Sequence, residues 1–378
     1  MAPAAPPGRA ATADWGPVTW TYTAEDAPEA VRVEAGLATS GPSPWPAHDR
    51  VPLRVRSARH TAGLERLEQA AGGLLRRLRE EYYRPAPDGA WVRCDRRPPH
   101  AAEPGLPRHA LAPGEGRWVI LHEDGTGAAT RAKVGDIALR ALVAAELTAR
   151  GGVTVHASAA TDGAGRAVAF LGDPGAGKST LALHLARTGG GFLSGDRTVL
   201  VPGPGGWWAV TSGLLPRFRW GTLDGLGLGD QVRDAVLLRH GDARRRVGDL
   251  PRTPAKVVFT PREAEGVLGA RTLDCAPLGR LVVLYGTRRD SPAAHALGHR
   301  QALAAVREHL LPSDAGCLER PPRDPAHLPP LGHEVTALAL AWDPLRHPAG
   351  EALAAALGDG PGTAEAPSAD HDHPATAP

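Results

Sequence analysis

Gly172-Asp173-Pro174-Gly175-Ala176-Gly177-Lys178-Ser179-Thr180 follows the apolar run Ala167-Val168-Ala169-Phe170-Leu171. Its G-x-x-x-x-G-K-S spacing is that of a phosphate-binding loop. The glycines let successive backbone N–H groups turn inward on the β- and γ-phosphates of a nucleotide. Lys178 supplies a point charge, and the Ser179 hydroxyl can enter the coordination shell of Mg²⁺. Every residue from Gly172 to Thr180 is thus a candidate for the nucleotide site, although Asp173 reads more as a turn former than as a ligand. Thr180 to Arg187 continues as a helix whose N-terminal dipole faces the same anion, and Thr188-Gly189-Gly190-Gly191 ends it.

Just upstream, Val153-Thr154-Val155-His156-Ala157-Ser158-Ala159-Ala160 reads as a strand, and Asp162-Gly163-Ala164-Gly165 as the turn that joins it to the strand feeding the loop. The two should pair as a hairpin. Phosphate loops are more often flanked by parallel strands separated by helices, so an antiparallel neighbour predicts an α/β domain with a mixed sheet.

The 43 Lys plus Arg residues include three lysines, Lys133, Lys178 and Lys256. A chain that otherwise uses arginine keeps lysine in the crowded loop, where a compact ammonium fits better than a planar guanidinium. The same bias draws attention to Lys256. A formal net charge of +2 over 378 residues gives no reason to expect nucleic acid or an anionic membrane as partner. Cys94, Cys275 and Cys317 are widely spaced, with no C-x-x-C pair, as in a reducing compartment. No apolar stretch approaches the roughly 18 residues of a membrane span. The Ala/Pro-rich start lacks the apolar core of a signal peptide, and a cytoplasmic location is expected.

Along the chain, residues 1–14 are expected to be disordered, and residues 15–134 to form a smaller N-terminal α+β domain. In that domain, Trp15 to Leu37 suggests two strands, Val31 and Val33 among their residues, and Ala62 to Tyr83 a helix with a leucine stripe. Strands are expected at Trp91-Val92-Arg93 and at Arg117 to His122. Residues 135–357 should form the domain around the loop, opening with a helix from Asp136, a possible N-cap, to Arg150. Short strands follow at Gly191-Phe192-Leu193, Thr198 to Val201 and Trp207 to Val210; Leu214 to Leu228 is hard to assign. Later strands are expected at Lys256 to Phe259 and Leu281 to Tyr285, with a helix from Pro261 to Leu268 between them. Further helices are expected at Ala294 to Leu310, Glu334 to Leu340 and Glu351 to Leu357. Residues 358–378 read as a disordered tail, and its His371-Asp372-His373 as solvated linker rather than a metal site.

His156 on the preceding hairpin strand and Asp196, eighteen residues beyond Lys178, are expected to sit around the loop. This arrangement resembles the C-terminal kinase domain of the HPr kinase/phosphorylase family, including its relatives encoded beside peptide-modifying enzymes. In that family a His-Gly or His-Ala-Ser strand runs through a short hairpin into the loop. A helix and a short strand then lead to two adjacent aspartates. His156-Ala157-Ser158, Gly172 to Thr180 and Leu193-Ser194-Gly195-Asp196-Arg197 occupy those places. The resemblance covers about Asp136 to Val201 and extends more loosely to Tyr285. It implies an HPr kinase/PEP carboxykinase-like nucleotide-binding fold, ATP and Mg²⁺ as cofactors, Lys178 on the phosphates, Ser179 and Asp196 on the metal, and His156 assisting transfer. The first aspartate of the family's pair, which deprotonates the acceptor hydroxyl, is Gly195 here, so the base is left open.

The expected function is transfer of the γ-phosphate of ATP to a hydroxyl, by resemblance a serine of a peptide or small protein. The alternatives are a small-molecule acceptor in a biosynthetic route, or a nucleotide-binding switch without catalysis. Self-association stays open. Arg217, Arg219 and Arg244 to Arg246 are able to clamp an acidic substrate or a γ-phosphate, but in so arginine-rich a chain they read as solvated surface.

Overall fold

The computed structural model describes residues 9–37, 39, 43–78, 81–94, 106–213, 215–239, 256–286, 290–311, 331–332 and 334–358. These residues form a mixed α/β fold built on two large mixed sheets and a short two-stranded ribbon. None of their helices is long and apolar enough to cross a membrane.

The second large sheet positions the loop. Ala157–Thr161 pairs antiparallel with Ala167–Leu171, as the hairpin reading required, and Ala167–Leu171 pairs parallel with Cys275–Tyr285 on its other edge. The five residues Ala167–Leu171 are all buried. Their alternation sends Val168 and Phe170 into one core, and Ala167, Ala169 and Leu171 into another. Side chains that alternate across a pleat and find apolar partners on both faces make a central strand, which explains the uninterrupted apolar run. The helix Lys178–Arg187 buries Leu181, Ala182, Leu185 and Ala186 against the Phe170 face. Cys275–Tyr285 pairs at its start with Gly206–Thr211 and farther along with Thr336–Ala341, so it joins the two parts of the sheet.

Val153 to Ala160 is not one strand. Val153–Val155 pairs with Thr198–Gly203, whereas Ala157–Thr161 pairs with the loop strand and with Phe192–Ser194. The change of partner falls at His156, which belongs to neither strand.

Several other expectations are corrected. Residues 10–14 are not disordered, because Ala10–Trp15 pairs with Val18–Thr23 and buries Trp15. Ala27–Leu37 is a helix, not a strand: Ala30, Val33 and Leu37 are buried at helical steps. The leucine-striped helix stops at Ala70, and Arg76–Leu78 and Glu81–Pro85 follow as strands. The expected boundary at 134/135 falls inside the unbroken helix Ala128–Ala149, in which Asp136 is not a cap but an ion-pair partner of Arg140. Ala293–Ala296 is a strand ahead of the helix His299–Glu308. Residues expected to be helical near 336–340 lie in the strand Thr336–Ala341. The stretch that resisted assignment holds a strand Arg217–Arg219 and helices Trp220–Gly225 and Gly229–Arg239. Residues 1–8, Cys317, Arg244 to Arg246 and residues 359–378 lie outside the described residues.

Candidate functional site

The loop between Leu171 and Lys178 owes its shape to three glycines with positive φ, Gly172 (143°), Gly175 (93°) and Gly177 (86°). At Gly177 a β-carbon would also stand 2.1 Å from Trp342 Cζ3, so both backbone angle and space demand glycine. Gly177 is the N-cap of the helix Lys178–Arg187 and supplies no side-chain cap. Such an end leaves first-turn N–H groups to an anion, with the helix dipole in support. Lys178 is buried and folds back over the loop, its Nζ donating to Gly172 O at 2.5 Å and Asp173 O at 2.9 Å. Burial lowers its pKa, against the opposing pull of Asp196 and Asp173. Asp173 is exposed and its carbonyl accepts from Ala176 N at 3.1 Å, which makes it the turn former expected. Ala176 packs toward the core. Pro174, Gly175, Gly177, Lys178, Ser179 and Thr180 line a cleft of about 420 Å³.

His156 and Asp196 line the same cleft. His156 Nε2 lies 3.2 Å from Asp196 Oδ1, while Asp196 Oδ2 accepts from Arg217 at 3.2 Å and from Lys256 Nζ at 3.5 Å. Burial alone would raise the Asp196 pKa, but Lys256, Arg217 and His156 together outweigh it and hold the carboxyl below its ordinary value. His156 is also lowered from 6.5. Burial and the charge of Lys178 disfavour the imidazolium by more than Asp196 favours it.

Ser179 Oγ donates to Gly195 O at 2.6 Å, and Ser158 Oγ donates to the same carbonyl at 2.7 Å and lies 3.1 Å from Ser179 Oγ. The residue preceding Asp196 is thereby tied to the loop helix. Ser179 and Asp196 offer one hydroxyl and one carboxylate, hard oxygen donors that line the same cleft. That set suits Mg²⁺, which usually takes one or two protein oxygens and completes its octahedron from phosphate and water. The described residues hold no group of three or more His, Cys, Asp or Glu able to bind a metal unaided.

Lys178, Ser179, His156 and Asp196 are thus brought together. Arg217 is not solvated surface: it is half-buried on Asp196. Lys256 joins it from the neighbouring strand Lys256–Val258. Two contributors escaped the sequence reading. Ser158 had a signal, since it closes the His156-Ala157-Ser158 motif that leads into the hairpin. Trp342 had none, because its approach to Gly177 joins residues far apart in the sequence.

The chain matches no protein-family model, and no match to it was found among the curated proteins.

Proposed function

We propose that the protein is an ATP- and Mg²⁺-dependent kinase that transfers the γ-phosphate to a hydroxyl, by its resemblance to the HPr kinase/phosphorylase family a serine of a peptide or small protein. One observation carries the reading: Lys178 and Ser179 of the glycine loop share a cleft with the His156–Asp196 pair. Phosphoryl transfer asks a protein mainly for positioning and for neutralisation of charge on the transferred group. The loop amides and Lys178 hold the phosphates. Ser179 and Asp196 would hold Mg²⁺, which when bound offsets negative charge on the phosphoryl oxygens. The acceptor oxygen forms the new bond to the γ-phosphorus as the bond to the bridging oxygen breaks, and ADP leaves with that electron pair.

With Gly195 in place of a carboxylate, the acceptor proton needs another destination. His156 is suited to take it. With Nε2–H donating to Asp196, the neutral ring keeps its Nδ1 lone pair, and Asp196 stabilises the imidazolium that forms. Gly195 also gives weight to a second reading, a nucleotide-binding switch that transfers nothing. Incubation with MgATP and hydroxyl acceptors, followed by mass spectrometry, separates the two. Phosphorylated acceptor supports the kinase; nucleotide binding that alters a partner without phosphorylated product supports the switch.

A further inference from the structure

Two unlike sets of residues line the cleft. One, Trp342, Pro344, Leu345 and Pro348, is apolar, with Leu345 94% exposed. It is fastened to the phosphate loop by the close approach of the Trp342 ring to Gly177. The other belongs to the ribbon of Arg217–Arg219 and Lys256–Val258, in which Arg219 and Lys256 are directly paired. Four cations line the cleft, Lys178, Arg217, Arg219 and Lys256, and among the described residues one carboxylate, Asp196, lines it with them.

That carboxylate does not satisfy the group. Arg217 and Lys256 converge on one oxygen, Oδ2, and Arg219 is exposed with no ion pair among the described residues. Like charges gathered on so short a ribbon repel one another, and an anion placed between them relieves the repulsion. A cation taken up by Asp196 would compete for the same oxygen and turn Arg217 and Lys256 toward any other anion in reach.

Resting on the kinase reading, we propose that the ribbon residues form the acceptor site, and that the acceptor carries a carboxylate or phosphate close to its hydroxyl. The flat aromatic face of a nucleotide base suits the apolar side chains of Pro344, Leu345 and Pro348. The phosphate to be transferred then faces Asp196 and His156, so the acceptor has to enter past Arg217, Arg219 and Lys256. A positive wall there raises both encounter rate and selectivity for anionic molecules.

Calorimetric titration of the full chain, saturated with Mg²⁺ and a nonhydrolysable ATP analogue, tests this with two pairs of probes. One pair is a serine peptide flanked by Asp and Glu, and the same peptide with Asn and Gln. The other is glycerol 3-phosphate and glycerol. The anionic member of at least one pair should bind about ten-fold tighter or better than its neutral counterpart. Arg219→Gln should reduce that preference and Arg219→Glu should abolish it. A preference in the peptide pair points to an acidic polypeptide acceptor, and one in the glycerol pair to a phosphorylated metabolite. Equal binding within both pairs overturns the proposal, as does a preference that survives Arg219→Glu. Binding is read without turnover, so a charge preference unaccompanied by any phosphoryl transfer would overturn the kinase reading and leave the anion site standing.

Discussion

Asp196 answers to His156 on one oxygen and to Arg217 and Lys256 on the other, so its charge balances much of the cleft. Asp196→Asn keeps the shape and removes the charge. Turnover should fall by at least about 10²-fold and require more Mg²⁺, whereas affinity for a nucleotide, whose phosphates we assign to the loop amides and Lys178, should change less. Mg²⁺ titrations that superimpose for the two proteins would reduce Asp196 to a turn residue. The neighbouring position tests the base. Because the pKa of His156 is depressed, its neutral, proton-accepting form prevails at pH 7, and the rate should decline only as pH falls below about 6.5. His156→Ala should flatten that acid limb and lower turnover by about 10²- to 10⁴-fold. Gly195→Asp should partly restore it. The exchange is sterically open, since a β-carbon at Gly195 meets its nearest neighbours, Phe192 Cζ and Arg217 O, at 3.4 and 3.8 Å. A His156→Ala variant with an unchanged pH–rate profile would remove the imidazole from the proposed proton path.

At the scale of elements, the loop depends on a contact made far away in sequence. Gly177→Ala would strain a φ of 86° and drive a methyl into the buried Trp342 ring. It should lower the denaturation midpoint, by an amount on the order of 1–3 kcal/mol in stability, and weaken nucleotide binding. Urea titration checks the first expectation and calorimetry the second. The contrast with the sequence reading has the same origin. The hairpin, loop and helix from Ala157 to Arg187 were legible because each is specified by neighbours: an apolar run, a turn tetrapeptide, glycines at fixed offsets. Thr336–Ala341 was not, because its strand character comes from pairing with Cys275–Tyr285, some 56 residues away at Arg280 and Thr336. Ala27–Leu37 misled for a related reason. Val31 and Val33 alternate as in a strand, yet burial of Glu29 beneath Tyr22 and Arg131 fixes this segment as a helix against Ala128–Ala149. Asp196 could be placed beside the loop from its position after a short strand. Arg217 and Lys256 acquire their meaning only when the ribbon between them pairs.

Across the whole molecule, the two large sheets do not keep separate interiors. Trp15, Trp20 and Leu139 share one core with Val199, Val201, Trp208 and Val210, and Gly16 N donates to the buried Asp274 carboxylate at 3.0 Å. Damage to the N-terminal sheet should therefore be felt as global instability. Two buried imidazoles there supply a test. His109 Nδ1–H donates to Pro107 O at 2.8 Å and the neutral ring's Nε2 accepts from the Tyr83 hydroxyl at 2.7 Å, while neither ring nitrogen of His122 has a hydrogen-bond partner among the described residues. Burial lowers their pKa values to about 4 and about 3, with His109 and Arg131 adding to the effect at His122. The unfolded chain, titrating near 6.5, binds protons before the folded one does. Stability is complete above about pH 6.5 and is lost as pH falls toward 4 and then 3, by about 2 kcal/mol per imidazole between pH 6.5 and 5. Urea denaturation at pH 7.5 and 5.0 should show this as one cooperative transition, and His122→Phe should remove about half of the difference. A pH-independent midpoint, or two separate transitions, would contradict the shared core.

The claim on which everything functional rests is that the cleft binds nucleotide through Lys178. Calorimetric titration of a nonhydrolysable ATP analogue with Mg²⁺ into the wild type and Lys178→Ala, both verified as folded by circular dichroism, tests it most directly. The wild type should bind, and the variant should lose affinity by a factor on the order of 10² or more, since a charge-assisted contact to phosphate is removed from a buried site. Equal affinity in the two proteins, or no binding to the wild type, would contradict the account.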